Sequence, residues 1–435
     1  MKDLIEPRIL KGFRDFLPDR ELQRLSLLRK LEEVFRLFGF VPIDTPVLEY
    51  TEVLLGKGGG ETDKQVYRFT DHGGRDVAMR YDLTVPFARF MAAHLPELPL
   101  PFKRWHAAKV WRGENTQRGR YREFVQVDFD TVGVDSPSAD LEILLLMREC
   151  MRALGVARFT VHFAHRGVFN TFLERLGLAG RAAEVLRTID KERKVGEEKT
   201  REALSEIAGP GSAARILEYT RTGGSFADTV AKLGDEAGAE HEGVRRLAAI
   251  GRCLEEVGCA EDFSLDPSIM RGLDYYTGVV FETFLTDLPG IGSVCSGGRY
   301  NDLASLYTRQ SLPGVGASIG VDRLMAAREE LGAGIAEAPP ASVLVLLLEE
   351  SLLGGCHRLA AAFRAAGIAA EVYPEKRKIA LQIAFAEKKG IPLALLFGEE
   401  ENRKGLLGLK DLRSRESFDD LTREDAIGKA RELLR

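Results

Sequence analysis

Arg112, Arg118, Arg120 and Arg122 stand within the first twelve residues of WRGENTQRGRYREFVQVDFD (Trp111–Asp130), and Asp128 and Asp130 close the same stretch. Guanidinium groups stay charged at neutral pH and offer planar, paired donors to carboxylates and phosphates. Read as a strand, the segment puts Phe124, Gln126, Asp128 and Asp130 on one face and Glu123, Val125, Val127 and Phe129 on the other. Gln126 and Asp130 then lie roughly 13 Å apart on that face. Acids on a sheet face need partners. Two arrangements meet that need: a structural salt bridge to the nearby arginines, or a cleft for a zwitterion. In the cleft, carboxylates would take an ammonium group and an arginine would take a carboxylate. Asp82, in RYDLT, sits in a similar apolar, strand-like context.

Other residues extend or limit this chemistry. Arg271, Arg299 and Arg323 join Arg112 and Arg120 as candidates for holding anionic groups. There is no G-x-x-x-x-G-K-[ST] phosphate loop, GVGASIG departs from G-x-G-x-x-G, and GKGGGETD (56–63) reads as a loop rather than a phosphate cradle. Any nucleotide must therefore be held by side chains. Tyr275 and Tyr276, read as strand residues, should face opposite ways, one to the core and one to a pocket. His72, His94, His106, His162, His165, His241 and His357 form no metal-binding spacing. Neither do Cys150, Cys253, Cys259, Cys295 and Cys356, which include no C-x-x-C pair. The reading is of no metal held by His or Cys, and a reducing, cytoplasmic setting. MKDLIEPRILKGFRD has no apolar signal region, and Val343–Leu348 is far too short to span a bilayer, so no membrane role is expected. A net charge of −5 over 435 residues excludes general coating of nucleic acid and leaves room for local basic patches.

These residues require elements to position them. Arg20–Phe40 reads as an amphipathic helix with Leu25, Leu28, Leu31, Phe35 and Phe38 on its buried stripe, ended by Gly39. Val41–Leu48 holds two prolines and suits a sheet edge or an interface. RDVAMRYDLTVPFARFMAAH reads as a strand, a polar break and a helix. RWHAAKVWRGE and YREFVQVDFDTVG read as strands joined by the loop Asn115–Gly119. Ser136–Gly155 is a capped helix. From about 168 to 258 the text is helical, rich in Ala, Glu, Lys, Arg and Leu, and strand-like residues return with SIMRGLDYYTGVVFETFL. Residues 332–342 read as a linker, and 343–435 alternate strand and helix as a small α/β domain of nearly balanced charge.

With these segments in view, the chain resembles the class II aminoacyl-tRNA synthetases, and among them the histidyl-tRNA synthetases. FVPIDTPVLE, the arginine-bearing hairpin and GASIGVDRLM are similar to the three loose class II motifs. RGLDYYTG and CSGGRYNDL are similar to the two more specific histidyl signature peptides. The resemblance covers essentially the whole chain. It implies an α+β catalytic domain over 1–331, an antiparallel sheet flanked by helices with the helical insertion within it, and an anticodon-binding α/β domain over 343–435. It implies ATP-dependent activation of L-histidine to an adenylate, with Mg²⁺, and transfer to tRNA(His) by a homodimer.

It also implies roles. Asp82, Thr84 and Gln126 would hold the α-ammonium of histidine; Asp130 and Tyr276, with Tyr275 beside them, would meet the imidazole. Arg112 would meet the substrate carboxylate and α-phosphate, and Arg271 would be the signature catalytic arginine. Arg120 and Arg323, with Glu114, would grip ATP. Asn115, Thr116 and Gln117 would meet the tRNA acceptor end, and Lys376, Arg377 and Lys378 would form an RNA-facing patch. Asp82 and Asp130 stand where many bacterial members carry glutamate, and GENTQRGR lacks the Arg-Pro-Gln run common in that loop. The alternative is a catalytically silent relative with a regulatory or tRNA-sensing role.

Overall fold

A computed structural model describes residues 4–56, 64–269, 275–332 and 341–435, without the side chains of 193 and 194. Arg271, most of GKGGGETD and most of the 332–342 linker lie outside the described residues. The chain divides into two compact units, Met1–Ile335 and Ala336–Arg435.

The first unit is organised by an eight-stranded sheet. In chain order the strands of this unit are β1 (Val41–Pro42), β2 (Leu48–Tyr50), β3 (Arg68–Thr70), β4 (Asp76–Met79), β5 (Phe102–Trp111), β6 (Glu123–Val132), β7 (Phe159–His165), β8 (Phe263–Leu265), β9 (Val279–Leu285), β10 (Cys295–Tyr300) and β11 (Gly314–Gly320). The large sheet runs β1-β5-β6-β11-β10-β9-β7-β8, and β2-β4-β3 form a small second sheet. Every neighbouring pair in the large sheet is antiparallel except the outermost pairs, β1 with β5 and β7 with β8. The proline-bearing segment is thus an edge strand, where a missing amide hydrogen is tolerated.

One face of the sheet is covered by apolar side chains. Val125, Val127 and Phe129 of β6 are buried with Leu27, Leu31 and Phe35 of the helix Pro18–Leu37, and with Ile143, Met147 and Cys150 of the helix Pro137–Ala153. The buried stripe of the first helix is Leu27–Leu31–Phe35, at four-residue steps; Leu25, expected on it, is 36% exposed. Ser136 caps the second helix by accepting from Ala139 N, and Pro137 starts it. The helical stretch expected from about 168 to 258 contains seven helices, from Arg166–Arg175 to Glu242–Val257. The strand β7, which immediately precedes it, has no counterpart in the sequence reading, although Phe159, Val161 and Phe163 alternate with Thr160 and His162 along it.

Asp82 does not lie on a strand. It sits in the turn between β4 and the helix Thr84–His94, where it accepts from Val85 N at 3.1 Å. Tyr275 and Tyr276 also precede their strand, which begins at Val279.

The second unit has a five-stranded sheet in the order β13-β12-β14-β15-β16, from β12 (Val343–Val345), β13 (Ala370–Val372), β14 (Leu393–Leu396), β15 (Leu407–Asp411) and β16 (Ser417–Leu421). The first three strands are parallel and the last two antiparallel, a hairpin where one strand was expected. Its core includes Val343, Val345, Phe363, Leu393 and Leu395 on one face and Leu344, Leu346 and Ala394 on the other. Strands buried on both faces read as continuous apolar runs, as VLVLLL does.

Candidate active site

The polar face of β6 opens into a cavity of about 1300 Å³. The register places Asp130 opposite Gly316 and Asp128 opposite Ser318 of β11. A Cβ at Gly316 would stand 2.0 Å from Asp130 Oδ1, so only glycine lets this carboxylate lie across the neighbouring strand. Asp82, Thr84, Gln126, Asp130, Tyr275 and Tyr276 all line the cavity. The tyrosines do not face opposite ways. Both reach the cavity with rings 5.0 Å apart, because neither is held in a pleated strand.

Three buried carboxylates form the floor. Asp82 receives Val85 N and, at 3.4 Å, the Tyr275 hydroxyl. Its pKa is pushed up to about 7, foremost by burial; the Val85 amide offsets this, Asp128 adds to it, and Arg112 and Tyr275 offset it further. Asp130 lies 2.7 Å from Arg104 and accepts from the Tyr300 hydroxyl at 2.5 Å. Burial raises its pKa to about 6 against the pull of Arg104. Asp128 is raised too, again by burial. It accepts from Thr84 Oγ1 at 3.3 Å and stands 4.0 Å from Arg104. Arg104 is fully buried, donates to Leu83 O at 3.2 Å and lies over the Phe87 ring. The structural salt bridge and the polar cleft, posed as alternatives, therefore coexist: Arg104 provides the first behind the second.

The sequence reading gave no role to Asp128, Arg104 or Tyr300. Asp128 was detectable, since it shares the alternating face of Gln126 and Asp130. Arg104 and Tyr300 come from other strands, and no spacing links them to β6.

Arginines also line the cavity. Arg112 donates through Nε to Tyr81 O at 2.9 Å, reaches Gln126 Oε1 at 3.5 Å and passes over the Phe124 ring. Gln126 in turn donates to Ser318 Oγ at 2.8 Å. Arg120 pairs with Glu114 at 3.5 Å, and Arg323 donates to Ser293 O; all three side chains line the cavity. Burial lowers the pKa of Arg323, and Arg120 lowers it further. Two like charges are thus held close on a partly buried wall, which favours an anion between them.

Arg299 is not part of this wall. It is fully buried in an ion pair with Asp140 at 2.8 Å, and Arg246 of the helical insertion meets the other oxygen of Asp140 at 3.0 Å. Arg118 and Arg122 also turn elsewhere, Arg118 to Glu330 at the surface and Arg122 to Glu114 O and Lys11 O. The insertion completes the cavity with Arg187, on a helix, and with Lys191 and Arg221, at helix ends. Asn115 and Gln117 are exposed on the hairpin loop and Thr116 is half-buried. In the second unit, Lys376, Arg377 and Lys378 are exposed; Lys376 pairs with Glu349 and Arg377 with Glu375.

No group of three or more metal-ligating side chains occurs among the described residues. Glu114 and Glu282 line the cavity. That donor set fits a magnesium ion held mainly by nucleotide phosphates, with one or two carboxylates.

A largely antiparallel sheet with its cavity on one face, an arginine-bearing hairpin within it and a separate α/β unit are the features of the class II aminoacyl-tRNA synthetases. The histidyl-tRNA synthetase family matches residues 12–324, and an anticodon binding domain matches residues 342–433. The histidine–tRNA ligase of Treponema denticola is 48% identical over 99% of both chains. That of Rhodopirellula baltica is 47% identical over 96% of both. The crystal structure of histidyl-tRNA synthetase from Nostoc sp. PCC 7120 superposes with a TM-score of 0.87 at 30% identity, over 99% of this chain and all of the other. The chain belongs to the histidyl-tRNA synthetase family.

Proposed function

We propose that this chain is a histidine–tRNA ligase that activates L-histidine with ATP, releasing pyrophosphate, and transfers the histidyl group to the 3′ end of tRNA(His). The observation that carries the reading is the division of one cavity into an acidic floor and an arginine wall. In this reading Asp82, Thr84 and Gln126 hold the ammonium group, and Arg112 meets the carboxylate beside it. Asp130 and Tyr276 stand at the positions where the family reads the imidazole nitrogens. Neutral imidazole has one donor and one acceptor nitrogen. A site that pairs both leaves buried groups unmet when an analogue binds, which is a strong source of selectivity.

Attack of the substrate carboxylate on the α-phosphorus brings two anions together. Arg112, already fixed by Tyr81 O, presents positive charge there without reorganising. In the same reading Arg120 and Arg323, with Glu114, grip the outer phosphates, and Arg271 takes the catalytic role by resemblance. Magnesium, when bound, would neutralise phosphate charge in the leaving pyrophosphate. Asn115, Thr116 and Gln117 extend toward the acceptor end of the tRNA, and Lys376, Arg377 and Lys378 toward its anticodon. Exposed Leu37, Val41, Val47, Leu48 and Tyr50 support a homodimer. No described helix is long and apolar enough to cross a membrane, and a cytoplasmic setting fits the free cysteines.

The test is ATP–pyrophosphate exchange with each amino acid in turn. Exchange with histidine alone is expected. Folded protein that exchanges with no amino acid would instead mark a silent relative.

A further inference from the structure

Tyr275 and Tyr276 line the cavity without belonging to a strand, so the sheet ladder does not hold them. The β9–β10 ladder ends with Val280 opposite Gly298. Beyond it, Thr277 continues the pairing. Its backbone N–H donates to Arg299 O at 2.8 Å, and its hydroxyl donates to the same carbonyl at 3.4 Å. The hydroxyl oxygen also accepts from Asn301 N at 3.1 Å. A hydroxyl is both donor and acceptor, so this one side chain meets both groups at once. Valine would keep the branched shape and lose both contacts.

What Thr277 grips is itself fixed. Asn301 donates through Nδ2 to Asp135 at 2.8 Å, and its Oδ1 accepts from Arg299 at 3.2 Å. Asp135 also pairs with Arg246 at 2.6 Å, and Arg299 with the buried Asp140 at 2.8 Å. The segment Arg299–Asn301 is thus anchored to the core by charge on both sides. The tyrosine rings have a seat of their own. A Cβ at Gly298 would stand 2.9 Å from Tyr276 Cδ1, so glycine makes the room in which that ring lies on β10. The Tyr275 ring packs 5.9 Å from that of Tyr300, and its hydroxyl donates to Asp82. Tyr276 is therefore seated on glycine, and the backbone that carries it is pinned one residue later.

We propose that Thr277 is a positioning residue for recognition of the amino acid: its hydroxyl, held between Arg299 O and Asn301 N, sets the backbone from which Tyr275 and Tyr276 reach the cavity. Thr277 does not itself line the cavity, so it acts through the two tyrosines. A ring displaced by a fraction of an ångström loses the geometry of its hydrogen bonds. The inference rests on the histidine site proposed above.

Steady-state pyrophosphate exchange by the full chain with Thr277→Val and Thr277→Ser tests it. Valine should raise the histidine KM about tenfold and leave the ATP KM and kcat within about twofold of the parent, the mark of a lost binding interaction. Serine restores the hydroxyl and should return the histidine KM to within about threefold of the parent. A valine variant with a histidine KM within about twofold of the parent would overturn the proposal. So would a serine variant as impaired as the valine one, because the methyl group rather than the hydroxyl would then matter. An equal rise in the ATP KM would also overturn it and leave Thr277 a structural residue only. Failure of the underlying reading is separate, since it would appear as no histidine-dependent exchange in the parent protein.

Discussion

The proposed role of Asp82, holding an ammonium group, requires its ionised form, yet burial beside Asp128 pushes its pKa up to about 7. The free protein's titration governs kcat/KM. We therefore expect kcat/KM for histidine to fall as pH drops below about 7, with little change in binding of ATP alone. A flat profile from pH 6 to pH 8, in roughly tenth-unit agreement with a control variant, would remove Asp82 from the ammonium site. The linkage to folding has the opposite sign. A carboxyl whose folded pKa lies above its unfolded value stabilises the fold at low pH, and this contribution is lost as pH rises through about 7. Stability is thus given up at neutral pH for a charged binding group. Arg299 carries a different prediction. Arg299→Ala leaves Asp140 facing Arg246 alone inside the core, and breaking a buried pair costs about 3–5 kcal/mol. Denaturant unfolding should show this loss, and a change within experimental error would mean that Arg246 suffices. Arg299 looked like an anion ligand in CSGGRYNDL because its partner is 159 residues away, and no local pattern reveals such a pairing.

Between residue and fold, the hairpin β5–β6 is braced by the start of the chain. Gly12 adopts φ +89°, and its carbonyl accepts from Arg122 N at 2.8 Å. A Cβ there would meet the Arg122 Cγ at 2.7 Å and the Thr116 Cγ2 at 2.8 Å. Arg14 then stacks 3.3 Å over Tyr121 and pairs with Asp322, whose other oxygen receives Val125 N. The segment ties the hairpin to the helix Val321–Glu330 that bears Arg323. Gly12→Ala should loosen the loop that carries Arg120 and raise the ATP KM roughly fivefold or more, an effect of about 1 kcal/mol or above. Histidine KM should stay near the parent value; an equal rise in both would point to general unfolding. The helices and most strands of this element map were readable because their apolar residues repeat at the helical or strand period. The N-terminal brace was not, since KGFRD has neither period and its contacts lie far along the chain. The two tyrosines misled because strand alternation was assumed for residues that precede the strand.

Each of the two units has its own buried core, so truncation should leave the first one folded. Deletion after Leu331 is expected to lower aminoacylation of tRNA far more than histidine-dependent pyrophosphate exchange. Equal losses would assign the second unit a structural role. The division into two units was plain in the composition of residues 332–342, and the alternating α/β pattern beyond it. What the composition hid was the wall that the insertion adds to the cavity, because Arg187, Lys191 and Arg221 stand amid many solvent-facing charges. The acidic floor has one more consequence. With Asp82 titrating near 7 and Asp130 near 6, the empty cavity stores protons at slightly acid pH. On the proposed site assignment an arriving ammonium group expels them, so the heat of histidine binding should vary with the ionisation enthalpy of the buffer, and the variation should fade as the solution is made alkaline.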